Sequence, residues 1–421
     1  MKMKLLSKLK RSGNYVYEIC IKGNRFYSSE SGNKVFIVGA ARTPIGSFRG
    51  QFSSLSAPQL GSLAIKGAIE QAGIPKEEVK EVYMGNVLQA NVGQAPARQA
   101  TIFAGLPKTT ECTTVNKVCA SGMKAIMLAT QSLLLNHQDV MVAGGMESMS
   151  NVPFYLNRGE TQYGGLQMKD GIVYDGLTDV YDKIHMGNCA EKTAKNFNIS
   201  REEQDDFAVI SYKRSEGAVK AGLFDAEIVP VTVPGKKGAP ETKIFEDEEY
   251  KRVNFDKFRK LPTVFQKEGG TITAGNASTL NDGGAACVLM NSNAVKRLNI
   301  KPDALIRGFA DAAVDPVDFP IAPAHAMKKL LDATGVKADD VSQWEINEAF
   351  SVVVLANMKL MDISNNKVNI HGGAVSLGHP IGMSGARLVC HLVHSLRPGQ
   401  LGMASICNGG GGSSAILIEK L

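Results

Sequence analysis

Two cysteines and one histidine have the residue types and local settings for covalent acyl chemistry. Cys119 lies in the segment Val-Cys-Ala-Ser-Gly, and Cys407, far along the chain, is followed by Asn and four consecutive glycines. His379 stands between Gly378 and Pro380. A thiol that forms a thioester, a second thiol or an imidazole that moves protons, and backbone amides exposed by glycines would together support acyl transfer.

Cys119 is predicted to lie at a helix N-terminus. Residues 115–119 read as an extended run, and residues 120–134 as a helix with small side chains at its start. Free amides and the helix dipole favour a thiolate there, so the sequence predicts a pKa below the usual value of about 8.5. A buried, inert cysteine is the alternative that this motif leaves open.

The other candidate residues are also predicted at turns or strand ends. Pro380 disfavours helix at the residue before it, so His379 is expected on a turn, placed to take a proton from a thiol. Cys407 follows a predicted strand at 401–406, and the glycines after it could form an oxyanion site. Asn347 follows another strand, where α/β folds gather ligand-orienting side chains. A structural histidine, a tight glycine turn and a helix N-cap are the respective alternatives.

An internal repeat predicts two copies of one folding unit. Residues 73–87 align with residues 335–349 at an offset of 262, and the segments that begin at Ser121 and Ser384 align at an offset of 263. Alternating strands and helices favour an α/β fold with a mostly parallel sheet that is covered on both faces. If a pseudo-twofold axis relates the copies, the helix after Cys119 and its counterpart face each other at the centre.

Polar, glycine-rich and charged residues interrupt the repeat at 151–280. We interpret this stretch as an inserted loop domain with a helix at 200–221 that could lie over the two halves. The N-terminal half would then span 34–150. The C-terminal half would span 281–421, and its first part could complete the N-terminal half.

The composition indicates an α/β protein with reduced thiols. No apolar run in the 421 residues reaches the roughly 18 residues of a membrane span. The seven cysteines show no paired spacing, which argues against a disulfide framework and against a tetrahedral metal site. We therefore expect free thiols, no redox cofactor and no membrane insertion.

The excess positive charge is confined to residues 1–29. This stretch has seven lysines and arginines against one glutamate, whereas the remainder has 40 basic and 40 acidic residues. Such a leader predicts a mitochondrial transit peptide with cleavage near Tyr27, and a disordered basic tail is the alternative. The net charge of +6 therefore gives no reason to expect nucleic-acid binding.

Together, four motifs resemble those of the thiolases. They are Val-Cys-Ala-Ser-Gly at Cys119, Asn-Glu-Ala-Phe at Asn347, Gly-Gly-Ala followed by Gly-His-Pro at His379, and Cys-Asn-Gly-Gly-Gly at Cys407. The resemblance covers residues 34–421. Within that family, the chain is most similar to the mitochondrial members that act on acetoacetyl-CoA. The segments that carry this closer resemblance are 41–46, 144–150, 276–283 and 318–323. The resemblance implies the thiolase fold, two duplicated halves in α-β-α-β-α layers.

The resemblance implies a reversible Claisen condensation of two acetyl-CoA molecules to acetoacetyl-CoA, as in ketone-body and isoleucine metabolism. Cys119 would be acetylated with His379 as its base, and Cys407 would remove a proton from the methyl group of the second acetyl-CoA. His379 and a water held by Asn347 would form one oxyanion site, and the amides of Cys119 and Gly409 the other. Thiolysis of 2-methylacetoacetyl-CoA is also implied.

The resemblance further implies ligand contacts, a compartment and an assembly. The coenzyme A contacts would be Tyr212, Arg252, Val253, Asn254, Lys257 and Ser278. A potassium site would use Tyr212, Ala274, Gly275, Ala277 and Val375. The acyl pocket would be lined by His185, Met186, Phe319 and Pro320. The family implies the mitochondrial matrix and a homotetramer built from dimers.

Three alternatives remain open. A broad-chain 3-ketoacyl-CoA thiolase of fatty-acid β-oxidation would prefer longer acyl chains. A decarboxylating ketosynthase with the same fold would not need Cys407 as a base. A non-catalytic acyl-CoA-binding or scaffold protein would never form an acyl-enzyme.

Overall fold

The structure, a computed structural model, describes residues 33–159, 163–235 and 240–421, so the predicted transit peptide at 1–29 lies outside the described residues. The described strands are β1 (Val35–Arg42), β2 (Gly46–Ser47), β3 (Glu81–Gly85), β4 (Glu111–Val115), β5 (Val140–Ser148), β6 (Phe154–Tyr155), β7 (Lys169–Asp170), β8 (Thr178–Asp179), β9 (Ile184–His185), β10 (Val231–Val233), β11 (Thr242–Ile244), β12 (Asn281–Asn291), β13 (Ala304–Ala313), β14 (Val341–Ile346), β15 (Leu401–Asn408) and β16 (Gly412–Lys420). The described α-helices are α1 (Ala57–Ala72), α2 (Pro96–Phe103), α3 (Ser121–Leu134), α4 (Met186–Asn196), α5 (Arg201–Lys220), α6 (Phe255–Phe258), α7 (Ser292–Leu298), α8 (Ala322–Thr334), α9 (Ser351–Met361), α10 (Ala374–Leu377) and α11 (Ile381–Ser395). None of these helices has the length and apolar character needed to cross a membrane.

The main sheet has ten strands in the order β14-β15-β16-β13-β1-β12-β5-β3-β4, with β2 paired to β12. Strand β3 runs parallel to β4 and β5, and β14 runs parallel to β15. The other neighbours in this order are antiparallel, so the prediction of a mostly parallel sheet is wrong. The physical reason is that β12 and β16, which complete the two halves, run antiparallel to the strands on both sides of them.

Alternating side chains bury both faces of this sheet. In β12, Cys287 faces a central apolar cluster that also contains residues of α3 and α11, while Val288 faces the cluster under α1. In β16, Ile416 faces the same central cluster, while Leu417 faces the cluster under α8. Helices therefore lie outside each half and between the halves. The predicted α-β-α-β-α layering is confirmed.

The two central helices approach each other closely at glycines. A Cβ atom on Gly122 of α3 would lie 2.9 Å from the carbonyl oxygen of Gly382 in α11, and one on Gly145 of β5 would lie 2.0 Å from the same atom. Only a residue without a side chain leaves room for the backbone at Gly145. The starts of α3, after Cys119, and of α11, after His379, therefore meet at the centre, as the repeat predicts.

The segment between the halves contains short elements around the long helix α5. Ser200 caps this helix: its side chain accepts a hydrogen bond from the Glu203 amide, and the Glu203 carboxylate accepts one from the Ser200 amide. Gln204 and Phe207 are among the residues that α5 buries. The predicted helix at 200–221 is thus confirmed. The proposed domain boundaries at 150 and 280 remain predictions.

Candidate active site

Cys119 lies on a strained turn between β4 and α3. The residue before it, Val118, has a φ of 47°, a left-handed conformation that is unusual for a β-branched side chain and costs about 1–3 kcal/mol. The Ser121 hydroxyl accepts a hydrogen bond from the Lys117 amide at 2.8 Å and donates one to the Val118 carbonyl at 2.6 Å. The Asn116 side chain accepts a bond from the Val118 amide at 2.9 Å. These local bonds hold the turn in its strained shape.

The Cys119 sulfur faces two backbone amides, that of Gly409 and its own, which are the two predicted oxyanion donors. Both amides favour the thiolate. Burial away from water outweighs them and, with the nearby Glu147 carboxylate, raises the pKa of Cys119 to about 12. The raised pKa contradicts the expected low one, because the sequence shows the helix start but not the burial of the sulfur, although the residue as a whole stays part-exposed to the cavity. The resting group is a thiol that needs a base.

His379 provides a neutral base in the same cavity. Its backbone amide donates to Asn281 Oδ1 at 2.8 Å, and its Nδ1 lies 2.6 Å from Ser384 Oγ. The Ser384 hydroxyl donates to the Pro380 carbonyl at 3.0 Å, so Nδ1 carries the imidazole proton and donates it to Ser384 Oγ. Burial, helped by the charge of Arg387, lowers the pKa of His379 to about 3. Nε2 is therefore unprotonated and can accept a proton.

Asn347 lies next to that free nitrogen. Its side-chain Nδ2 is 3.4 Å from His379 Nε2, and its backbone amide donates to the Ser405 carbonyl of β15 at 2.9 Å. Its Oδ1 is buried and has no hydrogen-bond partner among the described residues. A buried amide oxygen without a partner is well suited to holding a water molecule.

Cys407 lies near the end of β15 and is 1% exposed. It packs in an apolar cluster with Met186, Phe319 and Phe350. Burial, followed by the proximity of Cys119, raises the pKa of Cys407 well above its usual value. The second sulfur is thus also a thiol at rest, and its conjugate thiolate would be a strong base.

Cys119, His379 and Gly409 line one cavity of about 210 Å³. Predicted site residues that line it are Cys119, His379, Gly409, His185, Met186, Phe319, Ser278 and Ala277. Asn347 and Cys407 do not line it, but Asn347 Nδ2 lies 3.4 Å from His379 Nε2, and Cys407 belongs to the same apolar cluster as the lining residue Phe319. Pro320 does not line the cavity, and its carbonyl accepts a bond from Asn357 at 2.7 Å.

The cavity wall also contains residues that the sequence did not single out. They are Met149, Gly176, Leu177, Phe265, Thr279, Leu280, Ala349, Phe350 and Ile381. The Phe265 ring stacks on His185 at a centroid distance of 4.7 Å and meets Phe350 edge-on at 6.3 Å. A Cβ on Gly187 would lie 2.2 Å from the Phe265 ring, so this glycine makes room for it. No local pattern marks Phe265, because its partners come from distant segments.

Glu147 is a second residue whose role was missed. Its buried carboxylate accepts bonds from Asn86 Nδ2 at 2.7 Å, from the Val87 amide at 3.0 Å and from the Gly382 amide at 2.9 Å. Burial raises its pKa to about 7. It therefore ties the loop after β3 to the start of α11, just after His379.

Several predicted coenzyme and potassium ligands come together around α5. Tyr212, Val253 and Val375 belong to one apolar cluster with Phe258, and a Cβ on Gly275 would lie 2.8 Å from the Phe258 ring. Ala274 and Ala277 lie on the same turn as Gly275, where the Ala277 amide donates to the Thr273 carbonyl at 3.1 Å. Arg252 and Lys257 are exposed on the next turns, and Asn254 caps α6 by accepting a bond from the Lys257 amide. These ligand assignments remain predictions.

The family models for the N-terminal and C-terminal domains of thiolase match residues 35–293 and 300–420, respectively. The chain therefore belongs to the thiolase family, and the prediction from the four motifs is confirmed.

Its relatives narrow the resemblance further. Proteins named mitochondrial acetyl-CoA acetyltransferase are 68% identical in Mus musculus, over 92% of each chain, and 64% identical in Bos taurus, over the full length of both. The human protein of that name is 62% identical over the full length of both chains. A crystal structure of Acat5 thiolase from Ascaris suum in complex with coenzyme A has a TM-score of 0.89 and 48% identity, and the match covers 92% of this chain and 100% of that one.

Proposed function

We propose that this chain is an acetyl-CoA acetyltransferase that forms acetoacetyl-CoA from two acetyl-CoA molecules and catalyses the reverse thiolysis. The observation that carries this proposal is the placement of the Cys119 sulfur against the Gly409 amide, in the cavity that His379 also lines. A nucleophile, an oxyanion donor and a neutral base thus share one small site. The names of the full-length relatives support the same activity.

In the first half-reaction, His379 Nε2 takes the proton of the Cys119 thiol while the sulfur attacks the thioester carbonyl of acetyl-CoA. The carbonyl oxygen becomes negative and accepts hydrogen bonds from the Cys119 and Gly409 amides. The intermediate then expels coenzyme A thiolate, which takes a proton from the Cys407 thiol. The products are acetyl-Cys119 and free coenzyme A, with His379 protonated and Cys407 as a thiolate.

In the second half-reaction, the carbonyl oxygen of another acetyl-CoA accepts a bond from His379 Nε2–H and one from a water held by Asn347 Oδ1. The Cys407 thiolate removes a proton from the methyl group, and the enolate attacks the acetyl carbonyl on Cys119. Loss of the Cys119 thiolate gives acetoacetyl-CoA, and His379 returns its proton to that sulfur. A weakly acidic carbon requires both a strong base and a stabilised enolate oxygen, and the buried Cys407 thiolate and the His379 site supply them.

Short acyl groups fit the cavity best. Its volume of about 210 Å³ is below the roughly 300–1,000 Å³ of pockets for larger ligands. The apolar side chains of Phe319 and Leu280 line the cavity, which suits a four-carbon acyl group and a 2-methyl branch. This favours acetoacetyl-CoA and 2-methylacetoacetyl-CoA over the long chains of a broad-range 3-ketoacyl-CoA thiolase.

The coenzyme would enter past Ser278 and extend over α5 and α6. Ser278 lines the cavity, while Arg252 and Lys257 are exposed cations that suit its phosphates. The coenzyme A complex of the Ascaris thiolase supports this ligand class. Potassium would be held by the Tyr212 hydroxyl and the carbonyls of Ala274, Gly275, Ala277 and Val375, since oxygen donors suit a hard cation. When bound, the ion would fix the turn at 273–277 beside Ser278.

We also propose that the protein is located in the mitochondrial matrix and assembles as a homotetramer. The relatives are named as mitochondrial proteins, and the basic residues 1–29 have the composition of a transit peptide. Large apolar side chains of the inserted segment are exposed, namely Phe154, Leu156, Tyr163, Leu166, Met168, Tyr174, Val180 and Tyr181. Exposed apolar surface of this extent supports burial against a second copy of the chain.

The proposal is tested by incubating the purified protein with acetyl-CoA and locating the adduct by peptide mass spectrometry. We expect one acetyl group on Cys119, thiolysis of acetoacetyl-CoA, and loss of both in Cys119→Ala. Preference for long-chain 3-ketoacyl-CoA would favour the β-oxidation enzyme instead. A folded protein that acquires no acetyl group would favour the non-catalytic binding protein.

A further inference from the structure

Lys117 lies two residues before Cys119, on the turn between β4 and α3, and its side chain bonds to the C-terminal half of the molecule. Its ammonium group donates three hydrogen bonds, to Asp311 Oδ1 at 2.5 Å, to the Ser413 carbonyl at 2.9 Å and to Ser414 Oγ at 2.8 Å. All three partners lie on β13 and β16, in the C-terminal half. Its three donors are therefore all used in contacts between the halves.

One of these contacts reaches the strand position opposite the second thiol. Ser413 is paired with Cys407 in the antiparallel ladder of β15 and β16. Lys117 thus connects the backbone next to one cysteine with the backbone beside the other.

The contacts of Lys117 lie next to a strained residue, Val118. Val118, which lies between Lys117 and Cys119, has a φ of 47°, and the bonds to Asn116 and Ser121 hold this turn within the N-terminal half. Among the described residues 116–121, Lys117 and the Cys119 sulfur itself make polar contacts with the C-terminal half, and Lys117 makes those that do not involve the reacting atom. A strained conformation persists only where surrounding contacts over-determine it.

A neighbouring lysine provides an internal comparison. Lys124 of α3 donates to Asp311 Oδ2 at 2.6 Å, and its side chain is 23% exposed, against 24% for Lys117. Lys124 thus contacts the same carboxylate as Lys117, and its side chain is equally shielded from solvent. It lies after the turn, however, and in the described part of the chain it bonds neither Ser413 nor Ser414, both of which bond Lys117.

We propose that Lys117 is a positioning residue that fixes Cys119 relative to Cys407 and to the Gly409 amide. This inference rests on the proposed roles of the two thiols. Both half-reactions pass a proton between Cys119 and His379 of the opposite half. In the second, the carbon that Cys407 deprotonates attacks the acetyl group on Cys119, so the turn and the end of β15 must keep a fixed separation. A displacement of about 1 Å in such a geometry can cost roughly 10²-fold in rate.

The test compares Lys117→Met with Lys124→Met in acetoacetyl-CoA thiolysis. Rates are divided by the fraction of chains that form acetyl-Cys119, so that misfolded protein does not contribute. We expect kcat per active site to fall about 10²-fold in Lys117→Met, with KM changed less than about twofold. Lys124→Met should retain kcat within about threefold. Normal kcat in Lys117→Met, or an equal loss in Lys124→Met, would overturn the inference.

If Lys117→Met does not fold, a milder variant tests whether Lys117 positions Cys119. Ser414→Ala removes one of the three acceptors, and we expect kcat per active site to fall several-fold at unchanged KM; an unchanged kcat would refute the inference. Failure of the proposed function is recognised separately, because wild-type protein would then form no acetyl-Cys119. Wild-type activity that is lost in Cys119→Ala but kept in Lys117→Met would overturn the positioning role alone.

Discussion

Ser384 Oγ lies 2.6 Å from His379 Nδ1 and thereby sets which nitrogen of the imidazole is free. Its own proton is donated to the Pro380 carbonyl, so the hydroxyl oxygen accepts the Nδ1 proton. The base therefore presents an unprotonated Nε2 to the cavity. Ser384 does this from the first turn of α11, four residues after the proline that precedes the helix.

Replacement of Ser384 by alanine should impair the base without disturbing substrate binding. Without the acceptor, the proton can move to Nε2, and we expect kcat to fall at least tenfold, within the roughly 10²–10⁴-fold that a general base contributes. KM for acetoacetyl-CoA should change little. Ser395→Ala is the matched control, since Ser395 ends the same helix and bonds Gln343. Equal losses in both variants would argue against the tautomer role.

The raised pKa of Cys119 predicts how its alkylation depends on pH. With a pKa of about 12, the thiolate fraction rises about tenfold for each pH unit below that value. The rate of iodoacetamide addition to Cys119, followed by peptide mass spectrometry in the absence of substrate, should therefore climb from pH 7 to pH 10 without a plateau. A rate that is flat between pH 5 and pH 8 would instead indicate a thiolate–imidazolium pair.

Local sequence was sufficient to predict which residues meet at the candidate site, and their catalytic roles remain predictions. Cys119, His379 and Gly409 each lie at a turn or strand end that small residues and proline mark, and the structure brings all three to one cavity. The repeat also predicted that the helices after Cys119 and His379 meet. These features depend on residue types and spacing, which the sequence contains directly.

Other features depend on what lies around a residue in space. β12 enters the sheet only after the inserted segment, and β16 folds back on β15 through the turn at residues 409–411, so alternation of strands and helices did not show that both run antiparallel to their neighbours. The pKa of Cys119 depends on exclusion of water, and Phe265 reaches the cavity from a loop without a motif. Burial and long-range contact are properties of the assembled fold.

Substitution of Val118 should separate stability from activity. Glycine adopts a φ of 47° without the strain that valine has there, although it loses more chain entropy on folding. We expect Val118→Gly to change the free energy of unfolding by less than about 1 kcal/mol while kcat falls, because the turn before Cys119 loosens. Val118→Ala, which keeps a Cβ and therefore part of the strain, should preserve more activity. Thermal unfolding and steady-state kinetics measure the two effects.

Gly187→Ala should reshape the acyl pocket. The added methyl would lie 2.2 Å from the Phe265 ring and would push it away from His185. We expect KM for acetoacetyl-CoA to rise several-fold, measured in the thiolysis assay. Gly217→Ala is the control, because a Cβ there meets nothing within 4 Å in α5 and should stabilise the helix by about 0.5–1 kcal/mol. Unchanged KM in Gly187→Ala would show that Phe265 does not shape the pocket.

Tyr212→Phe tests the proposed potassium site with the loss of a single oxygen. The ring packs edge-on against Phe255 and Phe258 at 6.4 and 6.0 Å, so the core around it should persist. We expect half-maximal potassium activation to need about tenfold more salt, equivalent to about 1.4 kcal/mol, with a smaller potassium-dependent rise in the thermal midpoint. Choline chloride at equal ionic strength controls for screening, and Tyr250→Phe, which removes a hydroxyl bonded to Glu246, controls for the substitution. An unchanged potassium response in Tyr212→Phe would remove Tyr212 from the ligand set.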